Sequence, residues 1–151
     1  MKDNLELYNQ IKQQVEKLGF NVVNFDFVRP WGGFLVIDDQ QLPLFISTFF
    51  DKIKINTSND IKLSPKLLIV NPKSRLSWQY HYKRKEIWSV YKGPIGVIKS
   101  KNDLENPMKI YKNNDIITFD IQERHRLIGL EDVGIVAEIW EHIDIKNPSD
   151  E

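Results

Sequence analysis

Four side chains in this sequence have the types and the spacing of a metal site. Gln79 and His81 lie two apart in Leu76-Ser77-Trp78-Gln79-Tyr80-His81-Tyr82, a run that reads as a β-strand, so their side chains leave the same face. Glu86 follows a short polar turn and opens the next apolar run, where it can fold back beside His81. His125 stands between Arg124 and Arg126, just before Leu127 and Ile128. Two imidazoles, a carboxylate and an amide oxygen form a mixed nitrogen and oxygen set that suits a divalent first-row metal. On spacing alone a second reading stays open. Isolated histidines in strands are commonly hydrogen-bonded structural groups, Gln79 can bond a sheet edge, and Glu86 can pair with Arg84 or Lys85.

The elements that must position these residues follow from periodicity and turn chemistry. Residues 3–18 read as an amphipathic helix, with Leu5, Tyr8, Ile11, Val15 and Leu18 at three- and four-residue steps. Asp3 and Glu6 have the spacing of a capping box, and Gly19 stands where a left-handed C-terminal cap is needed. Short β-like runs follow at 22–28, 34–37, 67–70, 76–82, 87–91, 95–98, 108–111, 116–119 and 135–143. Asn71-Pro72, Lys92-Gly93-Pro94, Asn106-Pro107 and Asn113-Asn114-Asp115 mark turns between several of them. Residues 38–65 read as an extension holding a short strand or helix and a mobile loop. Many short strands without intervening helices give an all-β sandwich or barrel with one N-terminal helix. One domain over 1–151 is expected, with the helix in 1–20 and the barrel in 21–145.

Composition limits the function classes. The chain has 151 residues, 41% of them hydrophobic, with four Trp, eight Phe and five Tyr, enough to bury a real core. Lys plus Arg and Asp plus Glu both total 21, so the formal charge is zero. That balance gives no basic excess for nucleic acid or an anionic membrane, and it is compatible with a homodimer. There is no cysteine, so a metal must be held by imidazole, carboxylate or amide oxygen. With no signal-like apolar run at Met1-Lys2-Asp3-Asn4 and no stretch of spanning length, a cytoplasmic protein is expected.

Several segments together resemble the cupin domain of type II mannose-6-phosphate isomerases, which also forms the C-terminal part of bifunctional mannose-1-phosphate guanylyltransferases. The family's opening Arg-Pro-Trp-Gly is present as Arg29-Pro30-Trp31-Gly32. Lys66 and Asn71-Pro72-Lys73 match in part its Val-Lys-Arg strand and Pro-Gly turn. Its core motif is matched by Leu76-Ser77-Trp78-Gln79, then His81, then Arg84-Lys85-Glu86-Ile87-Trp88. The later His-Arg-Leu appears as His125-Arg126-Leu127, and the final Ile-Glu-Val strand is echoed by Ala137-Glu138-Ile139. The resemblance runs over 29–141 in motif order. The chain departs from it at Lys83, Ile87 and Lys73, in the inserted 38–65 and in lacking the closing acidic segment.

The resemblance implies a cupin jelly-roll barrel, with Gln79, His81, Glu86 and His125 as ligands of one divalent ion. Zinc is expected first, with iron, nickel, manganese or cobalt as alternatives. It also implies aldose–ketose isomerisation of a sugar phosphate, mannose 6-phosphate to fructose 6-phosphate. Arg84, Arg126 and Lys66 are the expected catalytic residues, for phosphate or oxyanion contact. The general base is unassigned, with Glu138 able to point inward. Trp31 and Trp88 read as core or pocket wall and His142 as surface. The alternative is a non-catalytic cupin that binds a metal and a sugar phosphate or sugar nucleotide; an iron-dependent cupin oxidoreductase is a third reading.

Overall fold

The computed structural model describes residues 4–57, 61–81 and 84–142. Helix α1, Asn4–Lys17, buries Tyr8, Ile11 and Val15, the middle of the expected apolar stripe. Leu5 and Leu18, at its two ends, are about half exposed instead. Gly19 ends the helix at φ +102°, and its N–H donates to the Glu16 carbonyl at 3.0 Å. Asp3 of the expected capping box lies outside the described residues.

Strands β1 (Val22–Arg29) and β2 (Gly32–Ile37) form a hairpin over Pro30-Trp31. Gly32 is required there, because a Cβ would run into the Ile69 carbonyl oxygen of the neighbouring strand. A 3-10 turn, Asp39–Gln41, is capped by the Asp38 carboxylate and leads into α2, Leu42–Phe49, with Pro43 in its first turn. The chain continues as β3 (Lys62–Val70), β4 (Arg84–Lys92), β5 (Ile95–Ser100), β6 (Lys109–Tyr111), β7 (Ile116–Phe119), β8 (Arg124–Gly129) and β9 (Gly134–His142).

The described strands form two antiparallel sheets, of order β1-β2-β3-β9-β4-β7 and β6-β5-β8. Alternation divides the core in two. Leu67 and Ile69 on β3, with Ile135, Ala137 and Ile139 on β9, face the two helices and meet Val15, Phe45 and Phe49. Leu68, Val70 and Val136 face the other way, into the barrel, and pack with Trp88, Val97 and Leu127. The large sheet is thus buried on both faces at its centre.

The expected all-β barrel with an N-terminal helix is present, and three of its parts differ in detail from the expectation. The strand expected over 76–82 is irregular chain. Arg75 pairs with Ile128 and Gln79 with His125, so five residues face four and the extra one breaks the ladder as a bulge does. Its last residue, Tyr82, lies outside the described set. In 38–65 the short helix allowed for there is present as α2, but the stretch also holds the first part of β3, which begins at Lys62 and carries Pro65. Pro65 is tolerated because β2 pairs β3 only as far as Lys66, leaving its edge free there. Third, Arg124–Gly129, not read as a strand, is β8 and supplies His125. Among the described residues no helix is long and apolar enough to cross a membrane.

Candidate metal centre

Two cross-strand rows carry polar side chains into the barrel. In the first, Lys66 on β3 pairs with Glu138 on β9, which pairs with Trp88 on β4. In the second, Ser64, Trp140 and Glu86 take the same places, with Phe119 beyond them on β7. These rows continue the inward face of Leu68 and Val136, because side chains alternate along each strand. Across the barrel, His125 and Leu127 are the inward, buried residues of β8.

His81, Glu86 and His125 converge in the interior, and one ligand atom from each lies within 4.8 Å of the others. Glu86 Oε2 is 3.0 Å from His125 Nε2 and 3.3 Å from His81 Nε2. All three are buried. The tautomers follow from the partners. His125 Nδ1 lies 3.2 Å from the Glu123 carbonyl, which can only accept, so Nδ1 carries a proton. Arg84 Nη2 lies 2.9 Å from His81 Nε2, and a guanidinium can only donate, so Nε2 accepts. Glu86 Oε2 thus faces both Nε2 atoms inside the barrel, out of contact with solvent. A carboxylate and two imidazoles so placed can offer three ligand atoms to a cation. The phenyl ring of Phe119, 4.5 Å from the His125 ring, and the Trp88 indole, 5.6 Å away, fix that imidazole in place.

Gln79 lies beside this triad. Its backbone exchanges hydrogen bonds with His125, at 3.1 and 2.9 Å, which puts both side chains on one face. Its amide nitrogen donates to Ser77 Oγ at 2.7 Å, so the amide oxygen is the atom it has for a cation. The four expected ligands thus border one cavity of about 580 Å³, three of them as a tight cluster and Gln79 at its wall.

Glu138 is the second carboxyl that lines the cavity. It accepts a 2.9 Å hydrogen bond from Trp88 Nε1, whose other contact is Glu86 Oε1 at 3.4 Å. Burial and then the charge of Glu86 push the Glu138 pKa well above the carboxylate range, against the pull of Lys66 and Arg84. Burial alone would also raise Glu86, but His125, His81 and a hydrogen bond with Glu138 hold it well below. Their environments push the two pKa values apart, Glu86 downward and Glu138 upward.

The three cations expected to act on substrate all border the cavity, in different ways. Arg84 is buried, bonded to His81 and stacked 3.4 Å from the Trp140 ring. Lys66 Nζ lies between the rings of Trp140 and Phe34, at 4.1 and 4.6 Å. Arg126 leaves the outer face of β8, is held by Glu105 at 3.0 Å and reaches the rim near Trp78. Trp88 is core, as expected, and Trp31 is cavity wall. His142, expected at the surface, is buried, and its Nε2 meets Ser64 Oγ at 3.0 Å. β9 places it there by the same alternation that turns Glu138 and Trp140 inward. Trp140 escaped the sequence reading, although its spacing from Glu138 was the available signal.

No protein-family model and no curated protein matches the chain. Solved structures do match. Hazelnut (Corylus avellana) vicilin aligns over 83% of this chain and 32% of its own, at 16% identity and TM-score 0.57. A protein from Bacillus halodurans aligns over 53% of this chain and 62% of its own, at 12% identity and TM-score 0.50. The fold is a cupin barrel. A sugar phosphate isomerase of the cupin superfamily from Silicibacter pomeroyi also matches, over 52% of this chain and half of its own, at 13% identity and TM-score 0.45. These matches thus span less than two thirds of each neighbour's length.

Proposed function

We propose that this cupin is a divalent-metal enzyme that isomerises a sugar phosphate, with mannose 6-phosphate and fructose 6-phosphate as the first pair to test. The observation that carries the reading is the convergence of His81, Glu86 and His125 in a cavity that also holds Lys66 and Arg84. The motif resemblance over 29–141 supports the same assignment, and the cavity is of ordinary small-ligand size. His81, Glu86 and His125, with the amide oxygen of Gln79, would hold the ion, zinc being the first choice among first-row metals. When bound, such an ion polarises a carbonyl and stabilises an enediolate oxygen.

The chain's own residues supply the rest. Lys66 offers an ammonium toward a phosphate or oxyanion, steadied between two aromatic rings. Arg126 offers a guanidinium at the rim. Glu138, held by Trp88 Nε1, is the cavity carboxyl outside the ligand set and so the group in place to carry a proton between adjacent carbons. Aromatic walls at Trp31, Phe34, Trp78 and Trp140 limit water and present flat faces to a sugar ring.

A coupled assay on zinc-, manganese- and cobalt-loaded protein, run over a panel of hexose phosphates, tests this. Turnover of at least one aldose–ketose pair, lost in Glu138→Gln, is the expected result. Thermal stabilisation by sugar phosphates with no turnover on any of them would overturn the isomerase reading in favour of a binding cupin. That second reading draws on Arg84 and Arg126 both being engaged by protein groups.

A further inference from the structure

The hydrogen bond between Arg84 and His81 occupies an atom that the metal site needs. Arg84 Nη2 is 2.9 Å from His81 Nε2, and its Nε is 4.0 Å from Glu86 Oε2. The guanidinium thus lies against two of the three ligand atoms of the cluster. One imidazole nitrogen has one lone pair, and it cannot serve an N–H donor and a metal ion together. A divalent ion entering the triad would also stand close to a buried positive charge, which the low polarity of the interior makes costly.

The surroundings of Arg84 set where it can go. Its guanidinium is stacked on the Trp140 ring at 3.4 Å, and both residues line the cavity. On the strand above, His142 pairs directly with Arg84, and Lys62 pairs with His142, so further positive charge lies on that side. Movement away from the metal is therefore directed along the indole face into the cavity. Resting on the metal-site reading above, we propose that Arg84 is a resident cation which caps the triad. Metal binding displaces its guanidinium into the cavity, where it meets the anionic group of the incoming ligand.

Two consequences follow by linkage. Removing the guanidinium strengthens metal binding, because the competing donor is gone. Metal and anion binding favour each other, and each changes the affinity for the other by the same factor.

Isothermal titration with Zn²⁺ and Co²⁺ into wild type and Arg84→Met tests the first; methionine keeps an apolar stem against Trp140. About tenfold tighter metal binding in the variant is expected, the scale of one hydrogen bond to a charged group. Equal or weaker binding in the variant overturns the capping role while leaving the metal site standing. No metal binding by either protein overturns the metal-site reading itself. Titration with inorganic phosphate, with and without Zn²⁺, tests the second. A metal-dependent gain of about tenfold in wild type should shrink to a small factor in the variant, and an undiminished gain overturns the coupling. A crystal structure of zinc-loaded wild type does not depend on the variant folding. Arg84 moved off His81, with His81 on the metal, supports the proposal. Zinc held by Glu86 and His125 while Arg84 still caps His81 overturns it.

Discussion

Glu86 is the residue on which the centre depends most. It is the anionic member of the triad, and its Oε2 faces both Nε2 atoms. Glu86→Gln keeps the shape but replaces the carboxylate by a neutral amide. Metal affinity should fall by more than about 100-fold, beyond the tenfold to hundredfold range of outer-sphere changes. Titration calorimetry with Zn²⁺ checks this, and circular dichroism should show the barrel retained. An affinity within tenfold of wild type would mean that the ion is held elsewhere. At this scale much of the site was legible in the sequence. Strand parity puts Gln79 and His81 on one face in the sequence. Although that segment is irregular chain, its bridge from Gln79 to His125 and the inward place of Glu86 on β4 still bring the candidates to one cavity. The role of Arg84 was not legible, because whether an arginine meets substrate or a histidine depends on where Trp140 packs.

Among the elements, β3, β9 and β4 matter most, and they also explain which parts of the fold the sequence concealed. Pro65 disguised the start of β3, since a proline argues against a central strand unless one edge is free, and that freedom is set by where β2 ends. β8 was concealed by Arg124 and Arg126, whose charges flank His125 and hide an alternation that buries His125, Leu127 and Gly129. The same three strands bring Lys62, His142 and Arg84 into one cross-strand row. Burial first, then the charges of Lys62 and Arg84, lower the His142 pKa below its ordinary 6.5. The folded state therefore binds fewer protons than the unfolded chain, and stability rises with pH through this window. His142 should thus cost stability as pH falls below about 6.5, levelling off below its folded value. The difference in melting temperature between wild type and His142→Gln, measured from pH 7.5 to 5, isolates this group from His81 and His125. Wild type should lose more stability than the variant as the solution is acidified. Parallel curves would show that His142 does not titrate between the two states.

At the scale of the whole molecule the large sheet divides two cores with different duties. One lies between the sheet and the helices, with Phe45, Phe49, Phe50 and Phe20 as its centre. The other lies inside the barrel and merges into the polar rows that bear the candidate ligands. The amphipathic period of α1 showed that such an outer core existed, but 38–65 read only as a short strand or helix with a loop, so the aromatic contribution of α2 was not fixed in advance. The division predicts separable effects. Phe45 is fully buried and its ring lies 4.9 Å from Phe49 and 5.8 Å from Phe20, with no side-chain contact to the metal cluster among the ring pairs it makes. Phe45→Ala should destabilise the fold by about 3–5 kcal/mol through lost burial and a cavity. Below its melting temperature the variant should bind Zn²⁺ within about twofold of wild type, because changes at distant sites are close to additive. Urea denaturation gives the first quantity and titration calorimetry the second. A large stability loss joined to a tenfold loss of metal affinity would mean that the helices hold the centre in shape through β3 and β9, and the two cores would then be one cooperative unit.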